Sequence, residues 1–552
     1  MNKNQNSRFS LNPKVSMPRS RFDMSSELLT SLDAGLAIPL NWWEILPGDS
    51  FDVKTSMVVR MQTLMTPAFA DMFMDVMWFF VPNRLLWKHW VNFCGESDEP
   101  WFDDTVYTVP QLEFDDAPGN TNRDHTIEVA TIADYMGLPV RRAGNNTTPH
   151  MTKVDHLPFR AYCRCWNEWL RNENVQALTA FNMEDNDVTL TIGENATAFN
   201  GGALPLPVNK FKDYFTSCLP SPQKGPAVTI GVGDVAPVFT GATAHDWETL
   251  KHGGSYVPAL QWRRTGSEDA TVTGKHNIFA YTSSESSNAS AAIDSATISS
   301  TNNWTVTPSN LYADISNATG ISINELRIAF ATQQMYEQLA RGGSRYIEIL
   351  SNLFHVDAGD ARLQRSEFLG ANRCRINISQ VTQQSETNTT PLGDVGAYSL
   401  TTDTQDSFHK SFTEHGILLA IGMIRYQHSY QQGIDRKWLK KDKADYYWPV
   451  YANIGEQPVY NKELFTTGTN KEDEVFGYQE AWSSYRYGIN KITGEFRSDY
   501  ALSLDNWHLG DDYNALPALS AGFVTEQGQT LDRITAVQQN LANQFMADIW
   551  FC

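Results

Sequence analysis

The segment 425–465 combines the residue types that bind proteins and single-stranded nucleic acids. Its large aromatic residues include Tyr426, Tyr430, Trp438, Tyr446, Tyr447, Trp448 and Tyr451. Its cations are Arg436, Lys437, Lys440, Lys441 and Lys443. Protein interfaces are enriched in aromatic residues, whereas grooves for single-stranded nucleic acid add positive charge to aromatic stacking. The composition of the segment therefore leaves a subunit interface and a nucleic acid groove equally open.

The first 22 residues form a second basic segment. Its cations include Arg8, Lys14, Arg19 and Arg21. No acidic residue occurs before Asp23, and prolines at 13 and 18 discourage regular structure. We interpret residues 1–22 as an extended arm that contacts phosphate or a neighbouring subunit. A plain disordered terminus is the alternative interpretation.

Residues that could perform catalysis or bind a metal do not occur in recognisable patterns. The sequence has no nucleophile elbow, no phosphate-binding glycine loop and no zinc protease motif. Cys163 and Cys165 are poorly spaced for a metal, because residues two apart on a helix point to nearly opposite faces. We therefore predict no catalytic residue, no metal site and no cofactor.

Charge and aromatic content favour an assembly over a monomer that binds nucleic acid. The chain of 552 residues has 63 acidic and 43 basic side chains, which gives a formal net charge of −20. A protein whose whole surface grips nucleic acid would be basic, so any such contact must be local. Aromatic residues make up 12% of the chain and charged residues only 19%, a composition typical of buried interface cores.

The cysteines and the apolar runs indicate the cellular compartment of the chain and whether it inserts into a membrane. Six scattered cysteines do not form the pattern of a disulfide framework and favour a reducing compartment. The N-terminal residues lack the apolar core of a secretory signal. The longest apolar runs are too short to cross a bilayer, so we expect no membrane insertion.

Apolar patterns predict many strands and few helices. Alternation over 51–61 indicates a half-buried strand, and the nearly continuous apolar run 72–81 indicates a strand buried on both faces. Further strands are predicted at 374–378 and 416–430. One helix is predicted over 158–170, and another begins with the capping box Ser322-Ile-Asn-Glu325 and ends before Gly342. These elements indicate an antiparallel β-sandwich with long loops.

Residues 226–320 differ in composition from the rest of the chain. Their second half is rich in Ser, Thr, Ala and Asn. Such a stretch is either a solvated linker or an exposed insertion with short β structure on the outer surface of the fold. The composition does not decide between these two interpretations.

Motifs spread along the whole chain resemble those of the major capsid proteins of the gokushovirus branch of the Microviridae, which are small phages with circular single-stranded DNA. In the first half, the motifs are Leu46-Pro-Gly-Asp49, Phe79-Phe-Val-Pro-Asn-Arg84, Pro158-Phe-Arg-Ala-Tyr162, Trp166-Asn-Glu-Trp169 and Leu219-Pro-Ser-Pro-Gln-Lys-Gly225. In the second half, they are Asp360-Ala-Arg-Leu-Gln-Arg365, Arg425-Tyr-Gln-His-Ser-Tyr-Gln-Gln-Gly433, Asp445-Tyr-Tyr-Trp-Pro449, Gly477-Tyr-Gln-Glu480 and Leu504-Asp-Asn-Trp-His508.

This resemblance implies a mainly β fold: an eight-stranded antiparallel jelly roll with long loop insertions and a few short helices. The jelly roll would comprise 23–225 and 321–552, and would assemble into a T=1 icosahedral shell. Residues 226–320 would form a surface protrusion at the threefold axes. Host-contact candidates in that protrusion are Ser284, Asn288, Asn303 and Trp304.

The expected partners follow from the same resemblance. Copies of the chain would meet through Tyr426, Tyr430, Trp438, Tyr446, Tyr447, Trp448 and Tyr451. The circular single-stranded DNA genome would contact Arg8, Lys14, Arg19, Arg21, Arg436, Lys437, Lys440 and Lys441. The acidic chain cannot neutralise a genome alone, so a small basic packaging protein is expected, together with a minor or pilot capsid protein and a host receptor. The protein would reside in the virion, assembled in the host bacterial cytoplasm.

A β-sandwich carbohydrate-binding protein or glycosidase is the alternative function. Sixteen tryptophans and many tyrosines suit stacking on sugars, and acidic residues are plentiful. Closed particles would favour the capsid, whereas a stable monomer that binds or cleaves glycans would favour this alternative.

Overall fold

The structure is a computed structural model that describes part of the chain. The described residues are 19–62, 64, 66–94, 105–115, 127, 129–140, 153–179, 182–191, 204–225, 238–240, 250–252, 255–257, 261–265, 276–281, 290–293, 305–308, 311–313, 323–341, 364–387, 391–452, 454–526 and 545–552. The chain divides into two compact units, of which the first comprises Met1–Lys224 and Glu337–Cys552 and the second Gly225–Tyr336.

The strands in chain order are β1 (Ser26–Leu32), β2 (Leu36–Ile45), β3 (Ser50–Met61), β4 (Met72–Pro82), β5 (Gln111–Asp115), β6 (Val154–Asp155), β7 (Val188–Thr191), β8 (Leu206–Pro207), β9 (Val238–Thr240), β10 (Leu250–His252), β11 (Ser255–Val257), β12 (Gln261–Thr265), β13 (His276–Tyr281), β14 (Ser290–Ile293), β15 (Thr305–Pro308), β16 (Leu311–Ala313), β17 (Glu367–Arg375), β18 (Ile378–Thr382), β19 (Val395–Ser399), β20 (Thr401–Ser411), β21 (Gly416–Tyr426), β22 (Glu456–Tyr460), β23 (Val475–Glu480) and β24 (Phe545–Phe551).

The α-helices are α1 (Trp90–Phe93), α2 (Ile132–Tyr135), α3 (Leu157–Cys165), α4 (Ile323–Arg341), α5 (Asn461–Leu464) and α6 (Ala521–Val524). A π-helical turn, Trp166–Leu170, continues α3. Short 3-10 turns are Asn83–Leu85, Arg436–Trp438, Lys443–Asp445, Pro449–Tyr451, Asn470–Asp473, Ser483–Tyr485, Gly494–Phe496 and Asp505–Trp507. Within the described residues, no helix is long and apolar enough to cross a bilayer.

Two antiparallel sheets form the body of the first unit. Sheet one has the strand order β1-β24-β3-β20, and sheet two has the order β17-β4-β21-β2-β8. Successive strands of the chain therefore pair with distant ones, so both sheets depend on contacts between remote parts of the sequence. The mainly β, antiparallel fold with few short helices is confirmed and is consistent with a jelly roll. In the described residues the two sheets hold nine strands, one of which (β8) has only two residues, so the count of eight stays a prediction.

The main hydrophobic core lies between the two sheets. On β3, Val53, Met57, Val59 and Met61 are buried, which confirms the alternation predicted from the sequence. Trp78 of β4 stacks on the ring of Trp43 of β2 with centroids 5.6 Å apart and an interplanar angle of 1°. Such aromatic pairs bury large apolar areas and fix the spacing of the elements that carry them.

A second core lies on the other face of sheet two. The side chains of Phe79 and Val81 pack there against α3, while their neighbours Trp78 and Phe80 point into the main core. The strand β4 is therefore buried on both faces, as its apolar run predicted. The predicted helix over 158–170 is also confirmed, although its last turn is π-helical. The hydroxyl of Tyr162 in α3 donates a 2.7 Å hydrogen bond to the carbonyl of Ala37, which ties the helix to sheet two.

Two further predictions of elements differ in extent from the structure. The strand predicted over 416–430 ends at Tyr426. The strand predicted at 374–378 is divided between β17 and β18, because Ile376 and Asn377 lie outside both strands. The helix α4 begins directly after Ser322 and ends at Arg341, as predicted from its capping box and the following glycines.

The second unit contains short β structure. The strands β12–β15 form a four-stranded sheet in the order β14-β13-β12-β15, and β10-β11 and β16-β9 form two-stranded pairs. The predicted insertion 226–320 lies within this unit.

Candidate assembly surface

Five of the predicted contact residues are exposed on one loop, 436–451. The exposed fractions are 76% for Trp438, 52% for Tyr446, 49% for Tyr447, 50% for Trp448 and 38% for Tyr451. We use the term aromatic surface for these five residues and the adjacent Tyr485, which is 53% exposed. Large apolar side chains exposed in one place on a folded protein indicate an interaction site.

Local hydrogen bonds order the loop that carries this surface. The carboxylate of Asp445 accepts backbone hydrogen bonds from Lys441 (2.7 Å) and Asp442 (2.8 Å), and the indole N–H of Trp448 donates to the carbonyl of Lys443 over 2.9 Å. These contacts hold the short 3-10 turn that precedes Tyr446, Tyr447 and Trp448. The rings of these three residues lie outside the core. The aromatic rings are thus presented by a loop with its own hydrogen bonds.

Lys440 lies between two rings of the aromatic surface. Its Nζ donates a 2.6 Å hydrogen bond to the hydroxyl of Tyr485 and lies 4.0 Å from the centroid of that ring and 5.0 Å from that of Tyr446. The hydrogen bond from Lys440 lowers the pKa of Tyr485. Lys440 therefore joins the segments around 440 and 485 by a cation–π contact.

Trp482 is a buried residue that holds the loop of the aromatic surface in place. It is 6% exposed and its indole N–H donates to the carbonyl of Tyr451 over 2.9 Å. The ring of Tyr447 meets it edge to face at 5.8 Å. Trp482 has φ +69, a left-handed conformation that is costly for a bulky residue. The contacts of the indole with Tyr451 and Tyr447 offset the cost of this backbone conformation.

The structure buries two of the predicted contact residues. Tyr426 is 1% and Tyr430 6% exposed. The ring of Tyr430 packs on Phe215 at 4.8 Å, and its hydroxyl donates to Asp213 over 2.5 Å. The assignment of Tyr426 and Tyr430 to the contact surface is therefore corrected. Both carry aromatic side chains like the others, but the sequence does not show that the chain folds back over them.

Most of the predicted DNA-contact cations near 440 are engaged within the chain. Arg436 donates to the carbonyl of Pro458 over 2.7 Å and lies 3.3 Å from a carboxylate oxygen of Glu463. Lys437 lies 3.2 Å from Asp435, and Lys440 makes the contacts with Tyr446 and Tyr485. Lys441 is exposed, so its ammonium group is directly accessible to an anion.

The remaining predicted contact residues are placed as follows. Arg19 and Arg21 are exposed ahead of β1. Arg8 and Lys14 lie outside the described residues, as do the four host-contact candidates Ser284, Asn288, Asn303 and Trp304.

A buried ionic cluster beside the loops escaped the sequence analysis. His428 donates or accepts through Nδ1 with Asp511 (2.8 Å) and through Nε2 with Glu526 (3.0 Å). The ammonium group of Lys210 lies 3.4 Å from Oδ2 of Asp511, and the same oxygen accepts from the hydroxyl of Tyr513 over 2.8 Å. Burial by itself lowers the pKa of His428, but Asp511 and Glu526 outweigh it and raise the pKa to about 9. The cluster pins four chain segments together.

No local spacing could have revealed this cluster, because its ionic contacts join residues 83, 98 and 301 positions apart. Cys163 and Cys165, the only pair considered for a metal, are both buried, and burial raises the pKa of Cys163 to about 12. In the part of the chain that the structure describes, no group of His, Cys, Asp or Glu side chains could hold a metal ion.

Two antiparallel sheets with long loops that present large exposed rings are consistent with a structural protein of the jelly-roll class. Comparison with known proteins places the chain more narrowly. Residues 11–552 match the family model described as capsid protein (F protein). The chain therefore belongs to this phage capsid family, which confirms the resemblance seen in the sequence.

Relatives of this family match nearly the full chain. Capsid protein VP1 of Spiroplasma virus 4 is 35% identical over 95% of this chain and 90% of its own length. Capsid protein VP1 of Chlamydia phage 1 is 36% identical over 99% of this chain and 95% of its own length. Capsid protein VP1 of Bdellovibrio phage phiMH2K is 33% identical over 99% of this chain and 95% of its own length. The chain is thus a structural component of a phage virion and not an enzyme, so the glycosidase alternative is set aside.

Proposed function

We propose that copies of this chain close into a T=1 icosahedral shell around a circular single-stranded DNA genome, and that the aromatic surface forms one of the contacts between copies. The observation that carries the proposal is the exposure of Trp438, Tyr446, Tyr447 and Trp448 on one internally hydrogen-bonded loop. Aromatic residues at the centre of an interface supply most of its binding energy.

The physical basis of the shell is many moderate contacts in a closed arrangement. A stable interface buries about 1,600 Å² in total, and closure makes each further contact intramolecular. The two sheets supply a stiff wall, and the loops that leave them supply the contact area. An already ordered loop loses little conformational entropy on association, which strengthens binding.

The second unit has a separate proposed role. Residues 226–320 would cluster at the threefold axes as a protrusion that contacts the host receptor, with Ser284, Asn288, Asn303 and Trp304 as contact residues. The composition of this region, rich in small polar residues, supports an exposed position. The domain boundaries proposed for the shell wall are 23–225 and 321–552.

Genome contact is proposed for the basic arm 1–22 and for the cations near 440. In the arm, phosphates would pair with Arg8, Lys14, Arg19 and Arg21. Among the cations near 440, Lys441 is the most accessible candidate, and the candidates that also have partners within the chain are Arg436, Lys437 and Lys440. Since the chain carries a net charge of −20, a small basic packaging protein would neutralise much of the genome. A minor or pilot capsid protein would complete the virion, which would be assembled in the bacterial cytoplasm.

The proposed interface is tested by replacing exposed tryptophans. Trp438→Ser and Trp448→Ser should leave the subunit folded but prevent closed shells, as seen by negative-stain microscopy and size-exclusion chromatography. Trp550→Ser is the matched control, because Trp550 is 48% exposed but lies on β24, away from the aromatic surface. Normal shells from both loop variants would refute the proposed interface, and so would an equal loss from the control.

A further inference from the structure

A cleft of about 630 Å³ lies beside sheet two, away from the aromatic surface. Its walls come from β4, β17 and β21, from the segment that follows the π-helical turn, and from residues 208–212. One end is aromatic: the ring of Phe368 lies 5.7 Å from both Phe79 and Trp169. Phe79 is buried, but Phe368 is 40% exposed, so the ring of Phe368 is available to a ligand in the cleft.

The other end of the cleft is cationic. The guanidinium groups of Arg373 and Arg425 share the carboxylate of Asp75, with Arg373 Nε 2.6 Å from Oδ1 and Arg425 bonded to Oδ2. Both guanidinium groups stack on the ring of Phe211, at 5.0 Å and 4.3 Å from its centroid. Two cations on one buried carboxylate leave an excess of positive charge, and the side chain of Arg373 is 52% exposed.

Further charges around the cleft are mixed in sign, with cations in excess. Arg365 stacks on Trp169 at 4.8 Å. Lys212 is an exposed residue at the opposite wall, although partial desolvation of its ammonium group lowers its pKa and its Nζ donates to the carbonyl of Thr216 over 3.4 Å. Arg171 donates to the carbonyl of Gln176 over 2.7 Å. Two acidic residues, Glu168 and Glu173, line the cleft. Glu168 lies 3.0 Å from Arg164, so its charge is balanced.

We propose that this cleft binds a short run of single-stranded nucleic acid, with a base stacked on Phe368 and phosphates on Arg365, Arg373 and Lys212. Phe368 and Arg373 pair with Phe79 and Asp75, which are four positions apart on β4 because β17 has a bulge between Phe368 and Gly370. Four positions span about 13 Å at the usual rise of a strand. That length suits more than one nucleotide. Stacking on exposed rings and phosphate pairing are the two contacts by which proteins bind single strands without sequence preference.

This inference rests on the proposed function, because a capsid that encloses single-stranded DNA supplies the ligand. It assigns the contact to residues 365, 368, 373 and 212, none of which the basic segments of the sequence pointed to. Arg425 and Asp75 position Arg373 through the shared carboxylate and are not themselves proposed to touch the ligand.

The test measures binding of a dye-labelled oligothymidylate to the purified full-length chain, by fluorescence anisotropy at several salt concentrations. Phe368→Ser should weaken binding by about 5-fold or more, the range for loss of one stacked base. Lys212→Gln should reduce the slope of log affinity against log salt by about 0.7, the value for one phosphate contact on a single strand. Lys88→Gln, at a side chain 61% exposed outside the cleft, is the matched control and should leave both quantities unchanged.

Ultraviolet crosslinking locates the ligand independently. An oligonucleotide with 5-iodouracil should crosslink to a peptide containing Phe368 or Trp169, as read by mass spectrometry. Unchanged affinity in Phe368→Ser and Lys212→Gln, or crosslinks confined to other peptides, would overturn the assignment. Equal binding of an acidic polyglutamate that is insensitive to Phe368→Ser would also overturn it, because it would show a simple anion site.

Shell formation is followed separately by electron microscopy of each variant. Variants that form normal shells and lose oligonucleotide binding would support the cleft. Variants that keep oligonucleotide binding while no chain forms closed shells would contradict the proposed assembly and leave the cleft assignment standing.

Discussion

The Nδ1 atom of His428 lies 2.8 Å from Oδ1 of Asp511, and both side chains are almost completely buried. Between them they join the chain after β21 to the segment that precedes α6. Backbone hydrogen bonds reinforce this junction, from Lys210 to Val524 and from Glu526 to Val208, each 2.9 Å long. The loops that carry the aromatic surface are therefore fastened to the sheets by an ionic cluster as well as by apolar packing.

The first prediction concerns the pH dependence of stability. The pKa of His428 rises from its ordinary value of 6.5 to about 9 in the folded chain. The resulting stabilisation is complete below pH 6.5 and is lost as the pH rises through 9, because unfolding releases the proton of His428 in this range and a rising pH favours that release. We expect the free energy of unfolding to fall by about 3 kcal/mol over this range, measured by urea unfolding at each pH.

The control for this prediction is His428→Gln. The variant should be less stable at pH 6.5, because Asp511 and Glu526 lose their neutralising charge, and its stability should be nearly flat between pH 6.5 and 9. For the neighbouring Asp511, stability depends on pH in the opposite direction. Burial raises the pKa of its carboxyl, but His428 and Lys210 outweigh burial and lower the pKa below 3.8. The contribution of Asp511 to the free energy of unfolding is therefore lost only in acid. An equally steep alkaline loss in His428→Gln would assign the effect to other groups.

The second prediction concerns the carboxylate shared by two arginines. Asp75 is 1% exposed and holds both Arg373 and Arg425. Asp75→Asn should lower the free energy of unfolding by about 3 to 5 kcal/mol, because two guanidinium groups lose their buried counter-ion. Urea unfolding monitored by tryptophan fluorescence measures the change.

Asp406→Asn is the matched comparison for Asp75→Asn. Asp406 also pairs with one cation, Lys54 at 3.2 Å, but its side chain is 81% exposed. An exposed pair contributes about 0 to 1 kcal/mol, so this variant should unfold almost like the parent chain. Similar losses in the two variants would show that burial of Asp75 is not what makes its charge important.

The third prediction concerns the close approach of two loop backbones at Gly433. A Cβ at this position would lie 2.0 Å from the backbone oxygen of Glu463, so Gly433→Ala must separate the loop from α5. We expect a loss of about 1 to 3 kcal/mol, the range for overpacking. Gly488→Ala is the control, since a Cβ there meets nothing within 4 Å, and a loss as large in this variant would contradict the steric explanation.

The fourth prediction concerns thiol reactivity. Cys94 and Cys552 are exposed, whereas Cys163, Cys165, Cys218 and Cys374 are buried. Burial raises the pKa of Cys163 to about 12 and that of Cys374 to about 11, and only the thiolate reacts with alkylating reagents. Native subunits should therefore label at Cys94 and Cys552, and denatured subunits at all six, as counted by mass spectrometry. Rapid labelling of Cys163 in native subunits would be inconsistent with the packing of α3.

The sequence by itself determined the local elements and the kind of protein. The alternating residues of β3 and the continuous apolar run of β4 report burial through their own periodicity, since side chains of a strand alternate between its two faces. The capping box before α4 and Pro158 near the start of α3 mark helix ends through hydrogen bonds between near neighbours. The motifs along the chain likewise identified its family.

The tertiary structure alone decided which side chains are accessible. Tyr430 and Trp438 are indistinguishable as aromatic residues of one segment, yet Tyr430 packs on Phe215 and Trp438 is 76% exposed. The strand pairing of β24 with β1 joins residues 513 to 525 positions apart, from Leu32 with Phe545 to Ser26 with Phe551, and the contact of His428 with Asp511 joins residues 83 positions apart. Such contacts leave no local pattern in a sequence, because their energy depends on burial and partners that exist only once the chain has folded.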